Sequence, residues 1–292
     1  MGDNFSECAL NVVDTVKVLD NLNFVTHPVK SVLLPTQLIV FLGFILHSII
    51  MTVSLTPQKA EKLKLAVTRL LSRGMPLIRE VAQVIGRIIF TFPGVMYGPL
   101  YFRITQGEKD YALKQNKGNY DTHMQLSSSA QLELQWWINN VETSSNLIYK
   151  PEPHMPMSTD ASKVGWGCVI KSIKTGGLWT QEKRNYHIND LEMRAVYFGL
   201  KAHNNLVSKM HVKVLVDNTT AQNTLNELGT SHSPSFNSLI KTIWDWYITN
   251  KVWITVTRIP GKENVDADSL ENLHVPLIVA WTKTYFIVLV QS

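Results

Sequence analysis

The sequence predicts an α/β (α+β) fold whose second half is a mixed five-stranded sheet with flanking helices. Alternating apolar residues indicate strands, as over 211–216, and apolar residues three or four positions apart indicate helices, as over 189–206. Three prolines between Lys150 and Pro156 indicate a linker between two halves. A chain of 292 residues is long enough for two domains of ordinary size.

The first half is predicted to begin with a helix and strands and to continue with helices. Helical spacing over 14–22 is followed by β-branched and aromatic residues that predict strands and a hairpin over 24–53. Thr56 and Pro57 are the residue types of a helix cap and a first helical position, and a second helix is predicted over 76–90.

The positive charge is concentrated in one part of the first half. The net charge of +5 is mild, but residues 55–103 contain eight basic residues against two acidic ones. This excess fits a polyanion such as nucleic acid, and the alternative is an ordinary solvated helix face. The side chains that we select as candidate nucleic-acid contacts are Lys59, Lys62, Arg69 and Arg73.

The cysteines, the N-terminus and the apolar runs indicate where in the cell the protein is expected. Cys8 and Cys168 are too far apart in sequence for a metal or redox motif, which favours a reducing intracellular location, cytoplasmic or nuclear. The N-terminus lacks the basic-then-apolar pattern of a signal peptide. The apolar runs Leu38–Val53 and Val275–Val290 each span 16 positions, short of the ~20 that a membrane helix needs. We therefore expect buried strands or core in these runs, and no membrane partner.

Acidic residues recur at the ends of predicted elements in the second half. We expect Asp160 to open the first strand, Glu192 to lie in the first turn of a helix that begins at Asn189, and Asp217 to end the strand 211–216. Each acid has an ordinary alternative role, as a turn residue, part of a capping box or a helix cap.

A fourth acidic position follows the turn at 259–261, where the start of a final helix carries Asp266 and Asp268. Four carboxylates crowded together repel one another, and they stay ionised only when cations lie between them. Oxygen-only ligands select magnesium or manganese. The pattern therefore predicts a hydrolytic site with two metal ions.

The first half contains three distinctive runs, S-V-L-L-P-T-Q-L-I-V-F-L-G-F-I-L-H-S, R-E-V-A-Q-V-I-G and F-P-G-V-M-Y-G-P-L-Y-F-R. Over most of 12–125 the chain resembles reverse transcriptases of retrotransposons, most closely the DIRS type, which uses a tyrosine recombinase. The resemblance implies that 55–103 is a thumb, whose basic helices hold a template–primer duplex by its phosphates. It also implies a primer-grip-like hairpin at the edge of the palm, formed by Phe41, Leu42, Gly43 and Phe44.

The polymerase metal site of that family is missing. In the family, an aspartate pair preceded by an aromatic residue lies just upstream of the segment that resembles Gly2–Asn23, and this sequence contains no Asp-Asp pair. Polymerisation needs two divalent ions held by palm carboxylates. We therefore expect a truncated palm edge and a helical thumb that bind a duplex, and polymerase activity only if the missing palm is supplied.

The second half contains S-T-D-A-S-K-V-G-W-G, Y-H-I-N-D-L-E-M-R-A-V, V-L-V-D-N-T-T-A and R-I-P-G-K-E-N-V-D-A-D-S-L, in that order. Over 157–270 the chain resembles the ribonuclease H domain of the same retroelements. The resemblance implies a ribonuclease H-like fold and hydrolysis of the RNA strand of an RNA–DNA hybrid. It also implies that the catalytic, metal-binding acids are Asp160, Glu192, Asp217 and Asp268, with Asp266 as an alternative to the last.

Two positions depart from that family. Arg258 stands where the family has a histidine, and an arginine cannot act as a base at neutral pH although it can hold a phosphate. Glu271 and Asn272 replace a Ser-Arg pair, and the apolar tail after them resembles nothing in the family. We expect Arg258, Asn189 and Asn218 to contact nucleic acid, with helix capping as the alternative role of the two asparagines.

We divide the chain into a palm remnant with a thumb-like domain (1–125), a connecting helix and linker (126–156), a ribonuclease H-like domain (157–274) and an unassigned apolar tail (275–292). The predicted function is a retroelement ribonuclease H within a reverse transcriptase polyprotein. It would use two Mg²⁺ ions, or Mn²⁺, and bind an RNA–DNA hybrid or a template–primer duplex. The alternatives are a degenerate fragment that binds nucleic acid without catalysis, and an integrase-type transferase of the same fold.

Overall fold

The computed structural model describes residues 4–27, 30–149, 152–230, 234–261, 279–281 and 286–288. The predicted acids Asp266 and Asp268 lie outside these residues, as do Glu271 and Asn272. No helix in the described part of the chain is long and apolar enough to cross a membrane.

The first half consists of a helix, a small antiparallel sheet and a group of packed helices. Its helices are α1 (Phe5–Asn21), α2 (Pro57–Ser72), α3 (Ile78–Phe90), α4 (Arg103–Gln115) and α5 (Ser128–Asn140). Its strands are β1 (Leu38–Phe41), β2 (Phe44–His47), β3 (Thr52–Leu55) and β4 (Ser145–Leu147). They pair in the order β1-β2-β3-β4, so β4, which follows the helices in sequence, lies beside β3.

The edge strand β1 is exposed, and the expectation that the whole run 38–53 is buried was wrong. Leu38, Val40 and Phe41 each expose more than half of their surface, because β1 lies at the edge of the sheet and pairs only with β2. Burial begins at β3, where Val53 and Leu55 are both covered.

The helices pack around an apolar core that continues into the segment 126–156. α2 begins after Thr56 with Pro57 at its first position, as predicted, and it packs against α3 and α5. Trp137 of α5 is fully buried, and its indole N–H donates to the Tyr101 carbonyl oxygen at 2.7 Å. α5 and β4 therefore pack against the first half of the chain.

A buried carboxylate holds the beginning of α4. Glu133 of α5 is 2% exposed, and it accepts the backbone N–H groups of Ile104 and Thr105 at 3.1 and 3.0 Å and the Thr105 hydroxyl at 3.0 Å. The first N–H groups of a helix have no partner within the helix, so this carboxylate replaces a local cap. Burial raises the pKa of Glu133, while the hydrogen bonds from Thr105 and Ile104 and the charge of Lys241 counteract that shift.

The second half contains a five-stranded mixed sheet with helices, which confirms the predicted fold class. Its strands are β5 (Met155–Ala161), β6 (Gly165–Ile170), β7 (Ile173–Leu178), β8 (His211–Val216) and β9 (Trp253–Arg258). Its helices are α6 (Ile188–Ala202), α7 (Asn204–Val207), α8 (Thr219–Asn226) and α9 (Pro234–Asn250). The described tail contains β10 (Val279–Trp281) and β11 (Phe286–Val288), which pair with each other.

The sheet has the order β7-β6-β5-β8-β9, and only the pairs β5–β8 and β8–β9 are parallel. β5 begins at Met155, earlier than the predicted start at Asp160. The earlier start arises because the buried side chains of Met155 and Met157 pair in register with Val212 and Val214 of β8. Asp160 consequently lies near the carboxyl end of the strand and not at its beginning.

The two halves are joined by side chains of α9. This helix packs against α4 and against the short turn at 98–100. The Lys241 ammonium lies 4.7 Å from the centre of the Tyr101 ring, and the rings of Tyr97 and Trp244 are 6.3 Å apart. Burial, followed by the charge and hydrogen bond of Asp245, raises the pKa of Tyr101 to about 12, so the Tyr101 hydroxyl stays neutral in this contact.

Candidate metal centre and nucleic-acid groove

Two of the predicted acids lie at the carboxyl ends of neighbouring parallel strands. Asp160 is near the end of β5, and Asp217 directly follows β8. Ser158 of β5 pairs with Leu215 of β8, and the same register continued by two residues places Asp160 opposite Asp217. Parallel pairing thus brings both carboxylates to one edge of the sheet.

The third acid, Glu192, comes from α6, which packs against β5 and β6. The cap of this helix is His187, whose Nδ1 accepts the backbone N–H of Asn189 at 3.2 Å. The predicted helix start at Asn189 and the capping box between Asn189 and Glu192 were therefore wrong. Because α6 begins at Ile188, Glu192 lies beyond the first turn, and it is only 3% exposed.

The structure brings Asp160, Glu192 and Asp217 together. Each offers one carboxylate oxygen, and these three atoms all lie within 4.8 Å of one another. Asp160 and Glu192 are buried, whereas Asp217 is partly exposed. In addition, Asp160 Oδ1 accepts the backbone N–H of Ala161 at 3.0 Å.

This donor set fits hard divalent cations. Carboxylates at this spacing repel one another, and burial makes their charge more costly unless a cation offsets it. All three ligands are oxygens, a set that suits magnesium or manganese better than zinc or copper. Asp160, Glu192 and Asp217 are therefore the described residues able to hold a metal, and Asp268 stays a prediction because it lies outside the described residues.

Gly199 sets the distance between α6 and the sheet. A Cβ atom at this position would lie 2.7 Å from Cys168 Sγ of β6 and 3.5 Å from Thr159 Cγ2 of β5, and both neighbours are fully buried. The glycine thus lets α6 approach closely enough to bring Glu192 to Asp160. This role of Gly199 was not predicted from the sequence, although a glycine in the middle of a helical pattern is a signal for close packing.

Replacing Gly199 with alanine is expected to lower the free energy of unfolding by about 1–3 kcal/mol, because the added methyl group overpacks a buried contact. Gly107→Ala is the matched control, since Gly107 is exposed in α4 with nothing within 4 Å of its added Cβ. That change should raise the free energy by about 0.5–1 kcal/mol through helix propensity. Urea unfolding followed by circular dichroism measures both, and a neutral Gly199→Ala would contradict the packing account.

The two asparagines predicted to contact nucleic acid are hydrogen-bonded to each other beside the acids. Asn218 Nδ2 donates to Asn189 Oδ1 at 3.0 Å. Asn218 is also the cap of α8, because its Oδ1 accepts the backbone N–H of Ala221 at 2.9 Å. Capping, the alternative role, therefore holds for Asn218 and fails for Asn189, whose helix is capped by His187.

Arg258 ends β9 at the same edge of the sheet. It lies opposite Val216 in the parallel pairing of β8 and β9, and its Nε donates to the Asp217 carbonyl oxygen at 3.1 Å. Arg258 is therefore hydrogen-bonded to Asp217, which supplies one of the three carboxylates.

A basic groove of about 500 Å³ runs between α2 and α3 in the first half. Lys59, Lys62 and Arg87 line it, together with the ring of Phe90. Lys59 and Lys62 were predicted as nucleic-acid contacts, and Arg87 adds a third positive charge from the neighbouring helix. The positive charge of the groove suits the phosphates of a nucleic-acid strand.

The other two predicted bases lie further along α2 and at its end. Lys59, Lys62 and Arg69 are spaced by three and seven residues, which places them on one face of the helix, and Arg73 is its C-terminal cap. Arg73 forms an ion pair with Glu80 of α3, so its charge is already partly compensated. Arg69 lies between that pair and the groove.

The primer-grip-like hairpin lies next to the groove. Phe41 pairs with Phe44, and Leu42 and Gly43 form the two-residue turn between them with φ angles of 51° and 86°. The Phe44 ring lies 5.3 Å from the ring of Phe90 in α3, while Phe41 and Leu42 remain exposed at the tip. The hairpin tip and the groove thus form one surface.

Residues 150–239 match the family model described as the RNase H-like domain found in reverse transcriptase. The match includes Asp160, Glu192 and Asp217 and ends before Arg258. No curated protein sequence matches the chain.

Among solved structures, the LC11-RNase H1 in complex with an RNA/DNA hybrid is 18% identical and covers 40% of this chain and 92% of its own, with a TM-score of 0.35. RNase H1 from the halophilic archaeon Halobacterium salinarum is also 18% identical over 40% of this chain and 92% of its own, with a TM-score of 0.32. The foamy viral protease-reverse transcriptase in complex with an RNA/DNA hybrid is 15% identical and covers 98% of this chain, with a TM-score of 0.42. This chain spans 37% of that foamy viral protein.

Proposed function

We propose that the chain is the ribonuclease H part of a retroelement reverse transcriptase, an endonuclease that hydrolyses the RNA strand of RNA–DNA hybrids with the help of divalent metal ions. The observation that carries the proposal is the convergence of Asp160, Glu192 and Asp217 within 4.8 Å. It occurs inside the segment that matches the RNase H-like family.

Two Mg²⁺ ions are the proposed cofactor, and Mn²⁺ accepts the same oxygen ligands. Asp160, Glu192 and Asp217 would hold the ions, and Asp268 is the proposed fourth ligand. When bound, such ions neutralise the negative charge of the reacting phosphate and act as Lewis acids. The carboxylates would hold them. Asp160 and Glu192 are buried, so access to the cluster is from the edge of the sheet where Asp217 is partly exposed.

The proposed reaction is an in-line displacement at phosphorus. The oxygen of a water molecule forms a bond to phosphorus, the bond from phosphorus to one sugar oxygen breaks, and that oxygen takes up a proton while the attacking water loses one. The products are a terminal phosphate and a hydroxyl group. Asn189 and Asn218 would favour RNA by hydrogen bonding to 2′-hydroxyl groups, which are accessible in the shallow minor groove of a hybrid.

The first half would hold the duplex that the second half cuts. Phosphates would lie along the basic groove and the row of bases on α2, with the exposed hairpin tip beside them. This arrangement supports a thumb-like role, and the sequence resemblance supports a place within a reverse transcriptase polyprotein of a retrotransposon. The DIRS-type lineage and the four-part division of the chain remain proposals that rest on the sequence resemblance.

The direct test of activity is a labelled RNA–DNA hybrid incubated with the purified chain and Mg²⁺. We expect cuts in the RNA strand of the hybrid and none in double-stranded DNA or double-stranded RNA of the same sequence. Omitting Mg²⁺ or adding a chelator should abolish the cuts. Equal cutting of double-stranded DNA would contradict RNA-strand hydrolysis, and binding without cutting would favour the second candidate function.

That second candidate is a fragment that binds nucleic acid without catalysis, and Arg258 is the observation that favours it. An arginine stays protonated at neutral pH and cannot carry protons to or from the reaction. Polymerisation is a third candidate function, and it would require palm carboxylates that this sequence does not contain.

Removing the groove charges is expected to weaken duplex binding in a salt-dependent way. The double change Lys62→Ala with Arg87→Ala should lower the slope of log K against log salt by roughly two, because each phosphate contact contributes about 0.9. Fluorescence anisotropy with a labelled hybrid at several salt concentrations measures the slope. Lys17→Ala with Lys30→Ala, which removes the same charge from exposed positions near the N-terminus, should leave it unchanged. An equal loss in both variants would mean that only net charge matters.

A further inference from the structure

Arg258 is held in a defined orientation at the reactive edge of the sheet. Its Nε donates to the carbonyl oxygen of Asp217, whose own carboxylate belongs to the acid cluster. The parallel pairing of Val216 with Arg258 fixes the backbone of β9 at the level where β8 ends. In the turn that follows β9, the backbone of Gly261 lies close to Asp217. A Cβ atom added at Gly261 would be 3.3 Å from Asp217 Oδ2.

The rest of the guanidinium group remains open to a ligand. Arg258 is exposed, and within the described part of the chain it forms no ion pair, although three carboxylates lie at the same edge of the sheet. The Nε atom of Arg258 is hydrogen-bonded to a neutral carbonyl oxygen. This hydrogen bond therefore orients the guanidinium group without neutralising its positive charge. The two terminal nitrogens form a planar fork that matches two oxygens of one phosphate group.

The charge that this cation would meet changes during the proposed reaction. A phosphodiester carries one negative charge, whereas the terminal phosphate formed by its hydrolysis carries about −1.5 to −2 at neutral pH. A guanidinium stays charged throughout, because its pKa is far above neutrality. It therefore interacts more strongly with the cut strand than with the intact strand.

We propose that Arg258 binds the terminal phosphate of the cut strand and makes the chain retain its nicked product. This role rests on the proposed function, because the terminal phosphate arises only if the acid cluster lies at a site of phosphodiester hydrolysis. It assigns Arg258 to substrate and product binding and not to proton transfer. The ligand is a phosphate monoester at a nick in an RNA–DNA hybrid.

The test measures binding without hydrolysis. Two RNA–DNA hybrids with the same nick, one carrying a 5′-phosphate at the nick and one a 5′-hydroxyl, are titrated by fluorescence anisotropy. The buffer contains Ca²⁺, which takes oxygen ligands at longer distances than Mg²⁺, and gel analysis verifies that neither hybrid is cut. We expect the wild-type chain to bind the phosphate-bearing nick about tenfold more tightly, which is typical of a hydrogen-bonded charged pair.

Arg258→Ala should bring the affinity ratio of the two hybrids close to one, and Arg258→Lys should leave an intermediate ratio because lysine supplies charge without the fork. Thermal unfolding of both variants verifies that the fold is retained. An unchanged ratio in Arg258→Ala overturns the proposal. Cleavage of an intact hybrid in Mg²⁺ is measured separately. A wild-type chain that prefers the phosphate without cutting would contradict the proposed function and the retention of its own product, and not the binding of a terminal phosphate by Arg258. A wild-type chain that binds neither nicked hybrid contradicts both.

Discussion

Asp160→Asn is expected to reduce hydrolysis of an RNA–DNA hybrid by about a thousandfold or more while hybrid binding changes only slightly. Asparagine keeps the size of the side chain but removes the negative charge that attracts a divalent cation. Loss of metal-ion assistance costs several kcal/mol of transition-state stabilisation, and each 1.36 kcal/mol is a factor of ten in rate. Single-turnover cleavage in Mg²⁺ measures the rate, and anisotropy measures binding.

Two sets of variants make that experiment specific. Glu192→Gln should lose activity to a similar extent, because its carboxylate belongs to the same cluster. Asp14→Asn removes the same charge from the exposed helix α1 and should have no effect. Asp268→Asn and Asp266→Asn distinguish the two candidates for the fourth ligand, and we expect only the first to inactivate the chain. Full activity in Asp160→Asn would contradict the assignment of the acid cluster.

Glu133→Ala is expected to lower the free energy of unfolding by about 2–5 kcal/mol. Removing the carboxylate leaves the N–H groups of Ile104 and Thr105 without their acceptor at a buried helix start, and buried donors without partners are costly. It also leaves a cavity beside α4. Urea denaturation at pH 7 measures the change.

Glu133 also predicts a pH dependence of stability. Burial raises the pKa of Glu133 above its usual value of 4.5, so the folded chain holds this proton more tightly than the unfolded chain. The stability contributed by this group is fully present below pH 4.5 and is lost as the pH rises through the raised pKa of the folded state. Glu133→Gln keeps an acceptor but cannot titrate, so this component should disappear from its stability profile. An identical pH profile in both proteins would contradict the burial effect.

The second half of the fold was predictable because each of its elements has a local signal. The alternation of Val212, Val214 and Val216 defines β8, and its pairing with β5 follows from the order of strands and helices between them. The position of Asp160 was less predictable, since the strand extends back through Pro156 to Met155. A proline normally lies in an edge strand or at the first residue of a strand. Here β5 nevertheless extends through Pro156, because the buried residues of this part of the strand pair with β8.

The parts of the site that depend on tertiary packing had weaker signals. His187 caps α6 with a ring nitrogen, although histidine is not among the favoured capping residues. Gly199 determines how closely α6 approaches the sheet, and only the position of Cys168 in three dimensions reveals why a glycine is required. Arg87 lines the groove with Lys59 and Lys62 because α3 packs beside α2. Counting charges along the sequence does not show that these two helices are neighbours.

The most direct test of the central claim is Mn²⁺ binding followed by electron paramagnetic resonance, without any nucleic acid present. If the carboxylates of Asp160, Glu192 and Asp217 share a divalent cation, the wild-type chain will bind Mn²⁺ saturably, and Glu192→Gln will bind it about tenfold more weakly or worse. Mg²⁺ should compete for the same site. Equal Mn²⁺ affinity in the wild-type chain and in Glu192→Gln would contradict the metal centre and the nuclease function built on it.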